Sequence, residues 1–362
     1  MKKLTMVLLA LLLALPARAE LLNFQVTDTL SINAEAPDAP EALPSIRTAP
    51  HAFDASQLQK MFMKTDSSRE DVPEQQLTTL GKGDGLSEYM LIDYEAGRFC
   101  YSSAYYNRYL EEMLNFRDEM SDWSFLFPQD LELDGMPKAE AVSSARKMLE
   151  GLGIRLLPGE KVYTLEKDSY AGIQALLAQS ESQVYMSKRY LEPFDPAHEG
   201  YYMVFEQEIG GLVCGETGIG GHVDVLVTRQ GYEYVETGYV KDAVSESGAA
   251  PMLPAEQALK GVADQLRWDC CRTGDAYGKL EDREIPAVIE RVRLAYESEA
   301  IGGPNHISNS DEYVPVWMFT FQRASWQGGE SCWRNRTMDN HPFLMVIHVD
   351  ARTGKLLYEE QC

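Results

Sequence analysis

The sequence predicts an α+β protein built from tandem helix-plus-antiparallel-sheet units, preceded by a signal peptide and an irregular arm. Three observations predict it. Two amphipathic helices open alike, at Pro137-Lys138-Ala139-Glu140-Ala141 and at Pro254-Ala255-Glu256-Gln257-Ala258. Each is followed by a run of short β-rich segments. The same strand-turn-strand device recurs three times, at Asp93-Tyr94-Glu95-Ala96-Gly97-Arg98, at Thr228-Arg229-Gln230-Gly231-Tyr232 and at Asp350-Ala351-Arg352-Thr353-Gly354-Lys355. In each, an oxygen-bearing side chain can bond its own turn, and a glycine accepts positive φ.

The first helix carries Ala141, Val142, Ala145, Met148, Leu149 and Leu152 on one stripe and stops at Gly153. Strands are expected over Lys161–Glu166, Tyr201–Ile209, His222–Thr228 and Tyr232–Tyr239, with a helix over Gly172–Gln179. The second helix carries Ala258, Leu259, Val262 and Leu266. Strands then follow over Ala287–Tyr296, Val314–Gln322, Pro342–Asp350 and Lys355–Tyr358. A helix laid across one face of a meander buries both apolar surfaces, which makes each half a self-sufficient unit. The expected units are 137–250 and 251–362, with a hairpin plus helix over 86–136. Tyr106, Tyr109, Leu110, Met113, Leu114 and Phe116 form the stripe of that helix.

Residues 1–19 read as a cleavable signal peptide. Lys2 and Lys3 are the positive start, Leu4 to Leu15 the apolar run, and Ala17-Arg18-Ala19 the small-residue site before Glu20. The run is too short for a permanent span, which needs about 20 residues. No cysteine follows it to take a lipid anchor. Residues 20–85, punctuated by Pro37, Pro40, Pro44 and Pro50, read as an extended or weakly ordered arm. Its one helical piece is Ala55 to Met63, behind the cap Asp54.

The net charge is −23, and loss of Lys2, Lys3 and Arg18 on cleavage takes it to −26. That field repels phosphate backbones and anionic membranes, so neither nucleic acid nor stable membrane insertion is expected. The six cysteines are Cys100, Cys214, Cys270, Cys271, Cys332 and Cys362. Export permits disulfides, but sequence cannot choose their pairing, and free buried thiols serve equally well. No C-x-x-C is present.

Candidate chemistry is sparse. His222 and Asp224, two apart in a strand, share a face, but no third ligand follows, so a solvent-facing polar pair is the simpler reading. His341 and His348 lack a zinc spacing, and His198-Glu199 lacks a second histidine. Cys214, in Gly211-Leu212-Val213-Cys214-Gly215, reads as a strand end rather than a nucleophile. Gly81-Lys82-Gly83-Asp84-Gly85 reads as linker. Asn335-Arg336-Thr337 matches a glycosylation acceptor, set aside because the export signal looks bacterial. Tyr101, Tyr105, Tyr106 and Tyr109, with Trp123, Phe125 and Phe127, read as core. With 56 acidic residues, any carboxylate pair is unremarkable. No catalytic, cofactor-binding or metal residue is assigned.

The Val-Asp-Ala-x-Thr-Gly-Lys core of Val346 to Tyr358 resembles the C-terminal hairpin of PepSY-type domains. Glu256-Gln257-Ala258 and Glu140-Ala141-Val142 look like the helix start of the same domains. Tyr201 to Gly211 and Val314-Pro315-Val316-Trp317-Met318-Phe319 are similar to strands in YcdB- and YycH/YycI-like exported proteins. The resemblance covers residues 137–362, with longer insertions at 167–200 and 267–284. It implies an exported, non-catalytic protein without cofactor. Such a protein binds or regulates another cell-envelope or extracellular protein, and is held in the secreted or cell-envelope compartment. The alternative is a secreted hydrolase with an unrecognised carboxylate or cysteine site, and a third reading is a dimerising module.

Overall fold

The computed structural model describes residues 19–63, 67–72, 76–82, 87–110, 127–172, 194–215, 221–266, 272–274, 280–282, 287–298, 311–323 and 343–359. The chain opens with β1 (Glu20–Gln25), β2 (Leu30–Ala36), β3 (Ala42–Leu43), β4 (Ile46–Pro50) and helix α1 (Ala55–Phe62). Next come β5 (Ser67–Val72), β6 (Gln76–Lys82), β7 (Ser87–Asp93), β8 (Arg98–Ser102), α2 (Lys138–Gly151) and β9 (Lys161–Leu165). A helical segment, α3, is described over 167–172. β10 (Gly200–Glu206), β11 (Glu208–Ile209), β12 (Leu212–Cys214), β13 (His222–Thr228), β14 (Gly231–Thr237), β15 (Lys241–Glu246) and β16 (Ala250–Pro251) lead to α4 (Ala255–Val262). The chain closes on β17 (Arg272–Gly274), β18 (Leu280–Asp282), β19 (Ala287–Ser298), β20 (Glu312–Arg323), β21 (Phe343–Asp350) and β22 (Leu356–Glu359).

Two large sheets dominate. The first has eight strands in the order β5-β6-β7-β8-β14-β13-β10-β9. All of its pairings are antiparallel. Helices α1 and α2 cover one face. Asp54 caps α1 by accepting from Ser56 N and Gln57 N at 2.9 and 3.2 Å. Leu58 and Phe62, one turn apart, then point inward, and Phe62 stacks on Tyr101 of β8 at 5.1 Å. From α2, Ala145 and Leu149 meet Tyr201, Met203 and Phe205 of β10 in the same core.

The second sheet has ten strands, with the path β1-β2-β19-β20-β21-β22 and with β4, β11, β12 and β15 attached. Helix α4 covers one face through Ala258, Leu259 and Val262, against Leu22, Ile32, Phe319 and Ile347. The Trp317 indole donates to Leu253 O at 2.9 Å and seats the chain entering that helix. Two of its pairings, β2 with β19 and β12 with β19, are parallel.

These pairings correct the expected fold class. The protein is mostly β-sheet, and its strands do not close as tandem helix-plus-antiparallel-sheet units over 137–250 and 251–362. The first sheet takes four strands from residues 67–102, and the second takes β1, β2 and β4 from the expected arm. β11, β12 and β15, which lie within 137–250 in sequence, belong to the second sheet. The physical reason is that periodicity reports which face of a strand is buried and not which strand lies beside it. Residues 30–36 carry that signal, with Leu30, Ile32, Ala34 and Ala36 all buried. The prolines that suggested an arm sit between strands or at a strand end, where no ladder donor is needed.

The sheets meet at corners. β10 ends at Glu206 in the first and β11 begins at Glu208 in the second, so the chain changes sheets at Gln207. Gln207 is buried, and its amide donates to Lys241 O at 3.0 Å. Glu206 and Arg293 clasp across the corner with two bonds of 2.6 and 2.5 Å. Such a fork is worth more than a neutral hydrogen bond. Glu206→Gln is expected to lower unfolding stability by about 1–2 kcal/mol, read as a lower urea midpoint at unchanged slope. An unchanged midpoint would show that the corner is held by backbone alone.

Candidate functional site

The described polar groups with most potential for chemistry lie on the face of the second sheet turned away from α4. The register places Arg293, Met318 and His348 in one row across β19, β20 and β21, and Ala295, Val316 and Asp350 in the next. His348 is fully buried, and Glu297 and Asp350 nearly so. His348 Nδ1 lies 3.5 Å from Glu297 Oε2. A charged ring would make that an ion pair. Burial works the other way and dominates, pushing His348 down to about 3 and leaving it neutral.

Cys214 ends β12 beside this row. The Tyr313 hydroxyl hydrogen-bonds its sulfur, and burial followed by the nearby Glu297 carboxylate pushes the thiol well above its usual range. Burial, with Cys214 and Glu297 next, likewise raises Tyr313. A nucleophilic cysteine needs the opposite field, one that favours thiolate. Gly215 follows, packed against the end of the Glu297 side chain. A Cβ there would stand 1.9 Å from Glu297 Oε2.

His222 and Asp224 do share a face, with 3.8 Å between Nε2 and Oδ2. The expectation of a solvent-facing pair is corrected for Asp224, which is buried, while His222 is half-buried. Asp224 stands opposite Glu236 of β14 in the register, and Arg98 reaches Glu236. His198 is structural. Its Nδ1 accepts from Asp195 N at 3.1 Å, and its ring lies among Tyr105, Tyr170 and Phe194. His341, Cys270, Cys271, Cys332, Cys362, residues 1–18, most of the expected helix Gly172–Gln179 and Asn335-Arg336-Thr337 lie outside the described residues, as do Gly83, Asp84 and Gly85. Cys214 is a free thiol. Among the described residues, no group of three or more His, Cys, Asp or Glu side chains is placed to hold a metal ion.

The aromatic residues divide between two faces. Tyr101 points to α1, whereas Tyr106 stacks on Tyr234 at 4.6 Å on the opposite face of the first sheet. Phe127 is also buried. The side chains of Tyr109, Trp123 and Phe125 are outside the described residues.

Sequence reading missed the buried acids. Glu88 accepts from the Tyr101 hydroxyl at 2.9 Å, and Glu233 accepts from Ser103 and from Thr228. Glu233 is buried and sits where the β13–β14 register shifts, at a bulge. It missed His51 as well. That ring donates from Nε2 to Leu152 O at the end of α2, 2.9 Å away, and faces the Asp242 carboxylate of β15 at 3.0 Å. It thereby ties a first-sheet helix to a second-sheet strand. No local pattern announces such a contact, since its partners are 101 and 191 residues away in sequence.

No family model matches the chain, and no curated protein matches it. It is similar to a solved structure described as an uncharacterized protein from Eubacterium rectale. The TM-score is 0.56, the identity 13%, and 92% of each chain is covered. At that identity the likeness speaks for the fold alone. Among the described residues, no helix is long and apolar enough to cross a membrane.

Proposed function

We propose that this is a non-catalytic exported protein that binds or regulates another cell-envelope or extracellular protein through its sheet surfaces. The observation that carries the reading is an open sheet face. Where β1, β2 and the start of β19 run together, the side opposite α4 exposes Leu21 at 62% and Val288 at 39%. Exposed Asn23, Gln25, Asn33 and Glu290 surround them. The buried titratable groups Glu88 and Glu233 are tied into the fold by hydrogen bonds, which suits scaffold roles. A hydrolase using Cys214 would have to form a thiolate in an apolar, acid-flanked position, which burial opposes.

Export is part of the proposal. It is supported by the signal-like sequence and by β1 starting at Glu20, the first residue after the expected cut. N-terminal sequencing of the exported product is expected to begin at Glu20. A product that begins at Met1 would remove this part.

The binding test is capture from the protein's own cell envelope. The wild type is expected to retain the same protein reproducibly. Val288→Lys, which charges the open face but leaves the edge of β1 untouched, is expected to reduce that retention at least about tenfold, the loss of roughly one hot-spot side chain. Retention unchanged by Val288→Lys would place binding elsewhere. Turnover of peptides or glycans by the purified protein would end the non-catalytic reading.

A further inference from the structure

We propose that β1 is a dimerisation edge, on which two copies of this chain pair antiparallel about a two-fold axis at Asn23. β1 is a terminal strand of the second sheet, and β2 is its partner among the described residues. Its six residues pair with β2 in unbroken register, without a bulge. An edge so flat normally carries protection such as charges, a proline or a bulge.

The other long edges of the two large sheets have such protection. β22 is four residues long, ends at Glu359 and pairs with β21 across a register shift. β5 carries Arg69, Glu70 and Asp71. β15 carries Asp242 and Glu246 and is bulged between Ala243 and Ser245. β9 begins at Lys161 and is buried at Tyr163, Thr164 and Leu165. β1 reads Glu-Leu-Leu-Asn-Phe-Gln, with its one charge at the first position.

The occupant follows from self-complementarity. Residues directly opposite in an antiparallel pair share a face, so the register must set inward residues against inward ones. A two-fold at Asn23 does this throughout. Leu22 faces Phe24 of the second copy, Asn23 faces Asn23, and Leu21 faces Gln25. Glu20 falls opposite Val26, so no acid meets an acid, which matters for a chain of net charge −23. The half-buried Phe24 ring gains apolar cover. The two faces covered by α4 become one continuous surface, and so do the two open faces. This is an isologous contact that closes on itself. One strand pair is smaller than a standard interface of about 1,600 Å², so the dimer forms reversibly with concentration. The like net charges make it stronger in high salt.

The register makes the test specific. Asn23→Cys in the exported protein is expected to give a reductant-sensitive dimer on mild oxidation. Leu21→Cys alone and the wild type, with its native cysteines, are expected to give little. A mixture of Leu21→Cys and Gln25→Cys chains is expected to cross-link. Sedimentation of the wild type is expected to show more dimer at high salt than at low salt, and Asn23→Lys to shift it to monomer. Asn23 is exposed, so these chains should fold, which circular dichroism checks. Cross-linking of Asn23→Cys no greater than that of Leu21→Cys would overturn the proposal, as would a monomeric wild type at both salts. A monomer whose capture of another protein is lost in Asn23→Lys would overturn self-pairing in favour of that protein's strand.

Discussion

Gly97→Ala is expected to destabilise the protein by about 3 kcal/mol or more, against about 1 kcal/mol for Gly159→Ala. Both glycines have positive φ, 66° and 95°. The strain of placing a side chain in the left-handed region is therefore common to both. What differs is the space. Around Gly159 an added Cβ meets nothing within 4 Å. At Gly97 it would stand 2.5 Å from Val240 O and 2.7 Å from His51 N, both backbone atoms. Those atoms are already bonded to one another at 2.9 Å, and Val240 N bonds Gly97 O. The β7–β8 turn is therefore pressed against the crossing from β14 to β15 and the end of β4. Alanine cannot enter without parting the β7–β8 turn of the first sheet from β4 and β15 of the second. Urea titrations followed by circular dichroism measure both variants. Equal midpoint shifts would mean that the turn swings away at little cost and that the sheets are not joined there.

The second large effect is acid destabilisation through His348. Its folded value is depressed to about 3, below the ordinary 6.5 of a histidine, because burial disfavours the charged ring. As the pH falls below 6.5 the unfolded chain takes up a proton that the folded chain refuses. Stability is thus fully present above about 6.5 and is lost as the pH falls towards about 3. The maximum slope for this one proton is about 1.4 kcal/mol per pH unit. Unfolding free energies at a series of pH values should show that decline. His348→Gln, which keeps hydrogen-bonding capacity and cannot titrate, should flatten it by that amount, whatever its effect at neutral pH. If the slope were the same in both proteins, the ring would already be charged and paired with Glu297, and the assignment of a neutral buried histidine would fall.

These two sites also mark the limit of reading from sequence. The Asp93–Arg98 turn was legible because its chemistry is local. Asp93 accepts from Glu95 N and Ala96 N at 3.1 and 3.0 Å, and Gly97 supplies the positive φ. The Asp350 turn works alike, with bonds of 2.8 and 3.2 Å from Arg352 N and Thr353 N and with Gly354 at φ 71°. What Gly97 touches was not legible, because Val240 and His51 are distant in sequence. His348 was visible as a histidine in a strand, but its burial and its approach to Glu297 of β19 depend on a pairing of distant strands.

The sequence by itself determined the local units: the Asp54 cap of α1, the inward stripes of α2 and α4, the three tight turns, and the positions of β7–β9, β13, β14 and β19–β22 to within a residue or two. Each follows from contacts a few residues apart, where propensity, capping and periodicity act. Only the tertiary structure decided which strands lie side by side. β1, β2 and β4 became strands of the second sheet rather than an arm, and segments expected in one unit were divided between two sheets. The same choice buried Glu88, Glu233, Glu297 and His348 and left β1 at an edge. The physical reason is that backbone hydrogen bonds between strands are nearly indifferent to side-chain identity. Neighbours are selected by burying apolar faces across the whole chain at once, a sum that no short window of sequence contains.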